Sequence, residues 1–290
     1  MKTIKFIFFI LAIISFSSCE NVIQVKLDEG EPIITIDAFI NDMRSQQKVR
    51  LTFTDGFFSQ SPNKAVTGAS VQLKDITTGI NYTFTDNSDG NYVYNLTPAD
   101  TIGRIGHTYE LKVSYQGDVF TSTSRLNRTT KVDSIGRSFN GPPNINGNDD
   151  EFSLAFLGFD VPGDTTDYYW IKSFKNGVFN GRGGDINVCI DGAFGAGADG
   201  FVFITPISEG ITPFDNKFKK FDLCRVEIHS INLETYNFLL QVQQQTTNSG
   251  LFATNPENVR TNLRNESNSK TKVVGWFCMS AVGFKEAVAQ

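Results

Sequence analysis

A chain of 290 residues that is 40% apolar has the means to bury a sizeable core, which excludes the disordered class, and its length suggests two domains. Its formal charge of -5, or -7 once Lys2 and Lys5 leave with the N-terminal segment, argues against nucleic acid and against electrostatic docking on anionic lipid. Only two histidines, His107 and His229, are present, which narrows the room for acid–base or nucleophilic chemistry.

The chain opens on a secretion signal. Lys2 and Lys5 make a positive start, Phe6 to Ile14 is wholly apolar, and Ser15, Phe16, Ser17 and Ser18 lead into Cys19. The apolar run is about half of the roughly 20 residues that a membrane-spanning helix needs. Small residues directly before a cysteine resemble the lipobox of a bacterial lipoprotein, with Phe16 where the pattern usually has Leu. On that reading residues 1–18 are a signal peptide, Cys19 is lipidated, and residues 19–31 form a lipidated N-terminus and tether. Each buried acyl methylene contributes roughly 0.8 kcal/mol, so several chains on one cysteine hold a protein to a bilayer in effect permanently. The alternative is an ordinary cleaved signal with a chance cysteine behind it.

From Pro32 to Arg128 the pattern has period two. Ile34, Ile36 and Ala38 share one face; Val49, Leu51 and Phe53 alternate with Arg50, Thr52 and Thr54; Val71 and Leu73, Tyr82 and Phe84, and Leu111, Val113 and Tyr115 continue the series. Thr78-Gly79, Asn87 to Asn91 and Gln116-Gly117-Asp118 supply turn residues. The spacing predicts about seven strands and an immunoglobulin-like sandwich over 32–128. Phe57 and Phe58 fall in a loop after a strand, where two consecutive rings suit a partner-binding anchor; folding back over the sandwich end is the alternative.

Past an Arg128-Thr129-Thr130 linker, a second, β-rich domain is expected over 131–288, with the Gly141–Asp150 stretch as a long loop. Strands are expected at 152–159, 168–174, 201–204, 225–231 and 272–282. Tyr168-Tyr169-Trp170 should alternate, with one ring toward the core. One helix is expected at 233–245, capped by Asn232, which makes the domain barrel-like or α+β. Besides Cys19 there are three cysteines, Cys189, Cys224 and Cys278, so at most one pair forms; Cys189 with Cys224 is the possible disulfide, against small buried hydrophobes as the alternative.

Several patterns imitate sites. Gly195-Ala196-Gly197-Ala198-Asp199-Gly200 fits G-x-G-x-x-G, yet an expected strand follows it where a dinucleotide site needs a helix. Thr85 to Gly90 has part of a calcium-loop spacing, but Leu96 stands where the bidentate Glu belongs. Asp149-Asp150-Glu151 reads as a solvated loop before a weak calcium site. There is no H-E-x-x-H and no G-x-S-x-G. No catalytic set, metal site or cofactor is expected.

The order Pro32 to Ile40, Val66 to Leu73, Gly90-Asn91-Tyr92 and Gly106 to Val113, then Val226 to Ile231, a helix with Tyr236 and Phe238, Asn255 to Val259 and Val274-Gly275-Trp276-Phe277, resembles the Bacteroidota lipoproteins called domain of unknown function 4249. The resemblance spans nearly the whole chain after Cys19, and the Asn255-Pro256-Glu257-Asn258 turn departs from the family's commoner Gly-rich form. It implies an outer-membrane lipoprotein, often encoded beside a TonB-dependent (SusC-like) receptor, with an N-terminal sandwich similar to the carboxypeptidase regulatory-like fold and with no catalytic residues. In such lipoproteins acids directly after the cysteine mark export to the surface; only Glu20 sits there, which leaves the side of the membrane open, with the outward face preferred. The function expected is that of a lipid-anchored binding or accessory protein. A free-standing surface binder of glycan or peptide and, behind it, a hydrolase are the alternatives.

Overall fold

The computed structural model describes residues 30–56, 59, 61–100, 102–138, 151–195, 197–248, 258–267 and 270–290. Its first seven strands are β1 (Ile34–Asn41), β2 (Gln47–Phe53), β3 (Ser70–Asp75), β4 (Asn81–Asp86), β5 (Asn91–Tyr94), β6 (Thr108–Tyr115) and β7 (Asp118–Arg125), the number that the alternation predicts. One face of each strand enters a common core: Ile34, Ile36, Ala38 and Ile40 of β1, Val49 and Leu51 of β2, Leu111 and Val113 of β6. Between β6 and β7 the chain reverses at Gln116 and Gly117, with φ of 49° and 90°, the left-handed pair that a two-residue hairpin turn requires.

These strands are completed from the far end of the chain. In the nine-stranded sheet the order is β16-β7-β6-β3-β4-β5-β2-β1-β17, where β16 is Arg264–Asn265 and β17 is Val273–Ser280. β17 pairs in parallel with β1, Ile34 opposite Val273 through Asn41 opposite Ser280. Phe277 and Met279 point into the common core, while Trp276 and Cys278 pack in a separate cluster on the other side. A strand buried on both faces reads as a continuous apolar run, as Val273 to Met279 does. The two ends of the sheet approach each other, and Met279 N donates to Ser124 Oγ of β7 at 2.9 Å. Asn262 spans the remaining gap: its Nδ2 donates to Phe277 O at 2.7 Å and its Oδ1 accepts from Phe277 N at 3.0 Å, a side chain standing in for a neighbouring strand. The sheet is a nearly closed barrel.

The rest of the chain builds a second sheet against this one. β8 (Ser134–Arg137) pairs with β10 (Leu154–Leu157), and β9 (Glu151–Phe152) with β14 (Phe218–Lys219). β11 (Tyr168–Lys175) is central, flanked on one edge by β12 (Val178–Phe179) and β13 (Asn187–Ile190) and on the other by β15 (Leu223–Ile231), which pairs with β18 (Val282–Val288). Alternation along β11 sends Tyr169 and Ile171 into one core and sets Tyr168 and Trp170 against another. Helix α1 is Thr205–Glu209, and helix α2 is Leu233–Thr247. Asn232 caps α2 as expected, its Oδ1 accepting from Thr235 N at 2.8 Å. Among the described residues no helix is long and apolar enough to cross a membrane.

The fold is mainly β, but the expected boundary between residues 128 and 131 does not divide it: Pro32–Gln290 forms one compact unit. β16 and β17 return to the first sheet, and the expected linker is stitched to β15. Asn127 Nδ2 donates to Ile231 O, Thr129 Oγ1 donates to Ile228 O, and the Arg128 guanidinium grips Asp167 with Nε and a terminal nitrogen. The strand expected at 201–204 is a single bridge, Val202 to Phe159, because helix α1 begins at Thr205 with Pro206 in its first turn.

Gly275 fixes how closely β17 approaches β1. Its φ is +109°, and a Cβ there would lie 2.0 Å from Ile36 O. Gly275→Ala must therefore strain the backbone and part the strands, with a loss of roughly 3 kcal/mol and a melting temperature lower by about 5–10 °C. Thermal denaturation checks this, and an unchanged melting temperature would mean that the contact relaxes freely.

Candidate ligand-binding cleft

Helix α2 lies across Trp276 of β17, and the two elements are locked by a pair of contacts. Trp276 Nε1 donates to Thr235 Oγ1 at 3.0 Å, and the Phe238 ring stacks on the indole at 4.3 Å and 16°. On the other side of this stack, residues 260–266 run from β17 to β7, with Leu263 anchored in the barrel core. Helix and arm are joined where Arg260 N donates to Gln241 Oε1 and diverge beyond it. Between them, and against β6 and β7, a cleft of about 960 Å³ remains, within the range of ordinary ligand sites.

The walls of the cleft are dominated by hydrogen-bonding groups. Gln241 Oε1 accepts from Arg260 N at 3.2 Å, and Glu266 Oε1 accepts from Thr121 Oγ1 at 3.0 Å, which ties helix to arm and arm to barrel. Among the described residues, the side chains of Arg260, Arg264, Glu110, Glu234 and Gln244 make no hydrogen bond or ion pair. Two guanidiniums, two carboxylates and an amide thus face the cleft with their capacity open. Nothing in the local sequence marks them: they come from three separated stretches, β6, α2 and the 260–266 arm, that the closing of the barrel brings together.

The residues singled out from sequence fare differently. Cys19, Phe57 and Phe58 lie outside the described residues, as do Asp149 and Asp150. Cys189 and Cys224 are both free, so the possible disulfide does not form. Cys189 lies opposite Tyr169 and Cys224 opposite Lys175, six residues apart along β11, or about 20 Å at ~3.3 Å per residue, far beyond disulfide reach. Burial raises both thiols, Cys224 to about 11, which makes them poor nucleophiles. In the Gly195–Gly200 stretch, Asp199 accepts from Gly163 N and Asp164 N, which ties it to the turn before β11. The Thr85–Gly90 stretch is the β4–β5 hairpin, where Asp86 accepts from Ser88 N and Asp89 from Asn91 N. Among the described residues no group of three or more His, Cys, Asp or Glu is placed to hold a metal ion.

Both histidines are bonded to carboxylates. His107 Nδ1 lies 2.8 Å from Oδ2 of buried Asp75, whose other oxygen accepts from Thr77 N at the β3–β4 turn. His229, buried on β15, donates from Nε2 to Glu227 Oε2 at 2.7 Å. Burial first, then the charge of Lys172, pushes His229 down to about 4 against the bond to Glu227. Burial works to raise Glu227, yet the His229 bond and the charges of Arg225 and Lys172 overcome it and hold the carboxyl below its usual range.

The sign of the resulting pH dependence follows from the two values of the imidazole. An unfolded imidazole takes up a proton near 6.5 and the folded one only near 4, so between these the unfolded chain binds more protons. The His229 contribution is complete above pH 6.5 and is lost as pH falls through about 4. His229→Gln, which keeps a donor for Glu227 and removes the titration, should therefore lose less melting temperature than the parent between pH 7 and 4.5. Equal losses would take His229 out of the acid limb.

No curated protein matches the chain. Among solved structures it is similar to the crystal structure of chicken CNTN1 FN1-FN3 domains, at 12% identity over 72% of this chain and 65% of that one, with a TM-score of 0.22. The family model described as domain of unknown function matches residues 20–286. With a match of that length, the chain belongs to the DUF4249 family.

Proposed function

We propose that the protein is a lipid-anchored binding subunit of the bacterial outer membrane, held there through Cys19 and working beside a TonB-dependent receptor in nutrient uptake or envelope assembly. The observation that carries the binding role is the cleft between α2 and residues 260–266, where the side chains of Arg260, Arg264, Glu110, Glu234 and Gln244 have no hydrogen-bond or ion-pair partner among the described residues. Such a lining suits a ligand rich in hydroxyl or amide groups, a glycan or a peptide. Lipid anchoring confines the subunit to the plane of the receptor, so a contact too weak to persist in solution suffices. The Lys2-Lys5 start, the apolar run and Ser17-Ser18 before Cys19 support the anchor. A free-standing surface binder would use the same cleft without the receptor.

Detergent extraction of the outer membrane separates these readings. The receptor subunit should copurify with a large barrel protein in fixed ratio, and Cys19→Ala should lose acyl labelling and leave the membrane fraction; retained labelling would refute the lipid assignment. Arg260→Ala with Arg264→Ala should abolish binding on glycan or peptide arrays while the melting temperature shifts by no more than about 2 °C, because neither guanidinium supports the fold. Phe57→Ser with Phe58→Ser should lose the barrel partner at unchanged stability. A large fall in melting temperature would return those rings to a core.

A further inference from the structure

A second constellation lies where the outer face of barrel strands β1 and β2 meets the face of β11 that carries Trp170 and Lys172, and none of its side chains lines the cleft. Lys172 Nζ sits 3.6 Å from the centroid of the Trp170 ring and 6.0 Å from that of Phe39, and the two rings meet edge-on at 5.3 Å. An ammonium carries three donors, and among the described residues Lys172 makes no hydrogen bond and no ion pair. Its cross-strand neighbour is an acid, Glu227, but both carboxylate oxygens of Glu227 are committed: Oε1 to Arg225 at 2.7 Å and Oε2 to His229 at 2.7 Å. Lys172 therefore feels the charge of Glu227 without a hydrogen bond to it, and its donors stay open.

Asp37 faces the same space. It makes no hydrogen bond or ion pair, and its cross-strand partner on β2 is Arg50. Arg50 and Lys48 are exposed and make no side-chain hydrogen bond or ion pair among the described residues, although Arg50 acts on Asp89 through its charge. The Asp37 side chain is open to solvent, yet burial raises its acid, with Lys172, Arg50 and Lys48 acting against that rise. This combination describes a carboxylate on the floor of an open recess. Three cations without hydrogen-bond partners, Lys172, Arg50 and Lys48, thus act on Asp37, with Glu227 beside Lys172 and Asp89 near Arg50 as the other acids.

We propose that Lys172, Arg50 and Lys48 form an oxyanion site for a small hydroxylated ligand, its carboxylate or phosphate received by the three cations and a hydroxyl received by Asp37. Burial holds Lys172 down to about 8, and an anion at the ammonium would offset that cost. A sugar acid and a sugar phosphate present the same oxyanion chemistry. The proposal is independent of the cleft.

The test uses the full chain in detergent at constant ionic strength, with calorimetry and tryptophan emission as readouts; Trp170 is one of only two tryptophans. The probes are glucuronate, glucose 6-phosphate, inorganic phosphate and uncharged glucose. At least one of the charged sugars should bind saturably, more tightly than inorganic phosphate, and which of them does so assigns the carboxylate or the phosphate. Lys172→Met should weaken it at least 10-fold and Arg50→Gln several-fold. As a measurement that needs no variant, acetylation of Lys172 followed by mass spectrometry should be slowed by the bound sugar and not by sodium chloride. Equal binding of glucose, no saturable binding, unchanged affinity in Lys172→Met, or acetylation indifferent to the sugar would each overturn the site.

Discussion

The parallel pairing of β17 with β1 is the constraint on which the rest of the structure depends. It places a strand from the last twenty residues beside the first strand of the fold and buries it on both faces, Phe277 and Met279 inward, Trp276 and Cys278 outward. Because Gly275 presents only hydrogen to Ile36 O, the strands can meet at that point. Val282 N donates to Asp42 Oδ1 just beyond the pair, so the turn after β1 and the turn after β17 are fastened together across nearly the whole sequence. Such contacts carry a large loop-closure cost before they return any stabilisation, and a barrel whose final strand arrives last is expected to fold slowly.

The cleft follows from how that barrel is closed. A true strand at the seam would have continued the sheet from β7 to β17 and left no space. Two residues of β16, then Asn262 and Thr261, cover the seam instead, with Thr261 Oγ1 donating to Gly275 O at 2.8 Å and Asn262 serving both main-chain groups of Phe277. Side chains reach farther than a ladder of main-chain bonds, so a gap remains between the arm and α2 beyond their contact at Arg260 and Gln241. Trp276 both seats the helix and floors the gap, which makes the cleft rigid at its base.

What was legible in the sequence was the local part. Strands β1 to β7 declare themselves because one face is buried and the other is wet, which imposes period two on the residues. The Val273 to Ser280 run also reads as a strand, but its partner does not: a sequence names the faces of a strand and not its neighbour, so two domains were expected where β17 ties both halves into one. The cysteines fail for the same reason, since their distance is set by the register on β11 and not by their spacing along the chain. The linker expected at Arg128 to Thr130 looked loose because its hydrogen-bonding side chains give no sign of what they hold, and here they hold β15 and Asp167.

The polar face of the second sheet is the feature least explained by stability. Arg225 divides its guanidinium between Glu227 and Glu286 and lies over Phe284 at 4.4 Å, while its Nε is buried without a partner. Glu227 uses one oxygen on Arg225 and the other on His229, whose imidazole burial holds down to about 4. Replacing buried ion pairs with well-packed apolar residues is often neutral or stabilising, so a sheet that needed only to pack would place Val or Leu at these alternating positions. Lys172 is the clearest departure: its ammonium is drawn into a half-buried site by two aromatic rings, opposite an acid that others have already claimed. A cation kept at that cost, with its donors unfilled by the protein, is better accounted for by what it can receive from outside than by anything it contributes within.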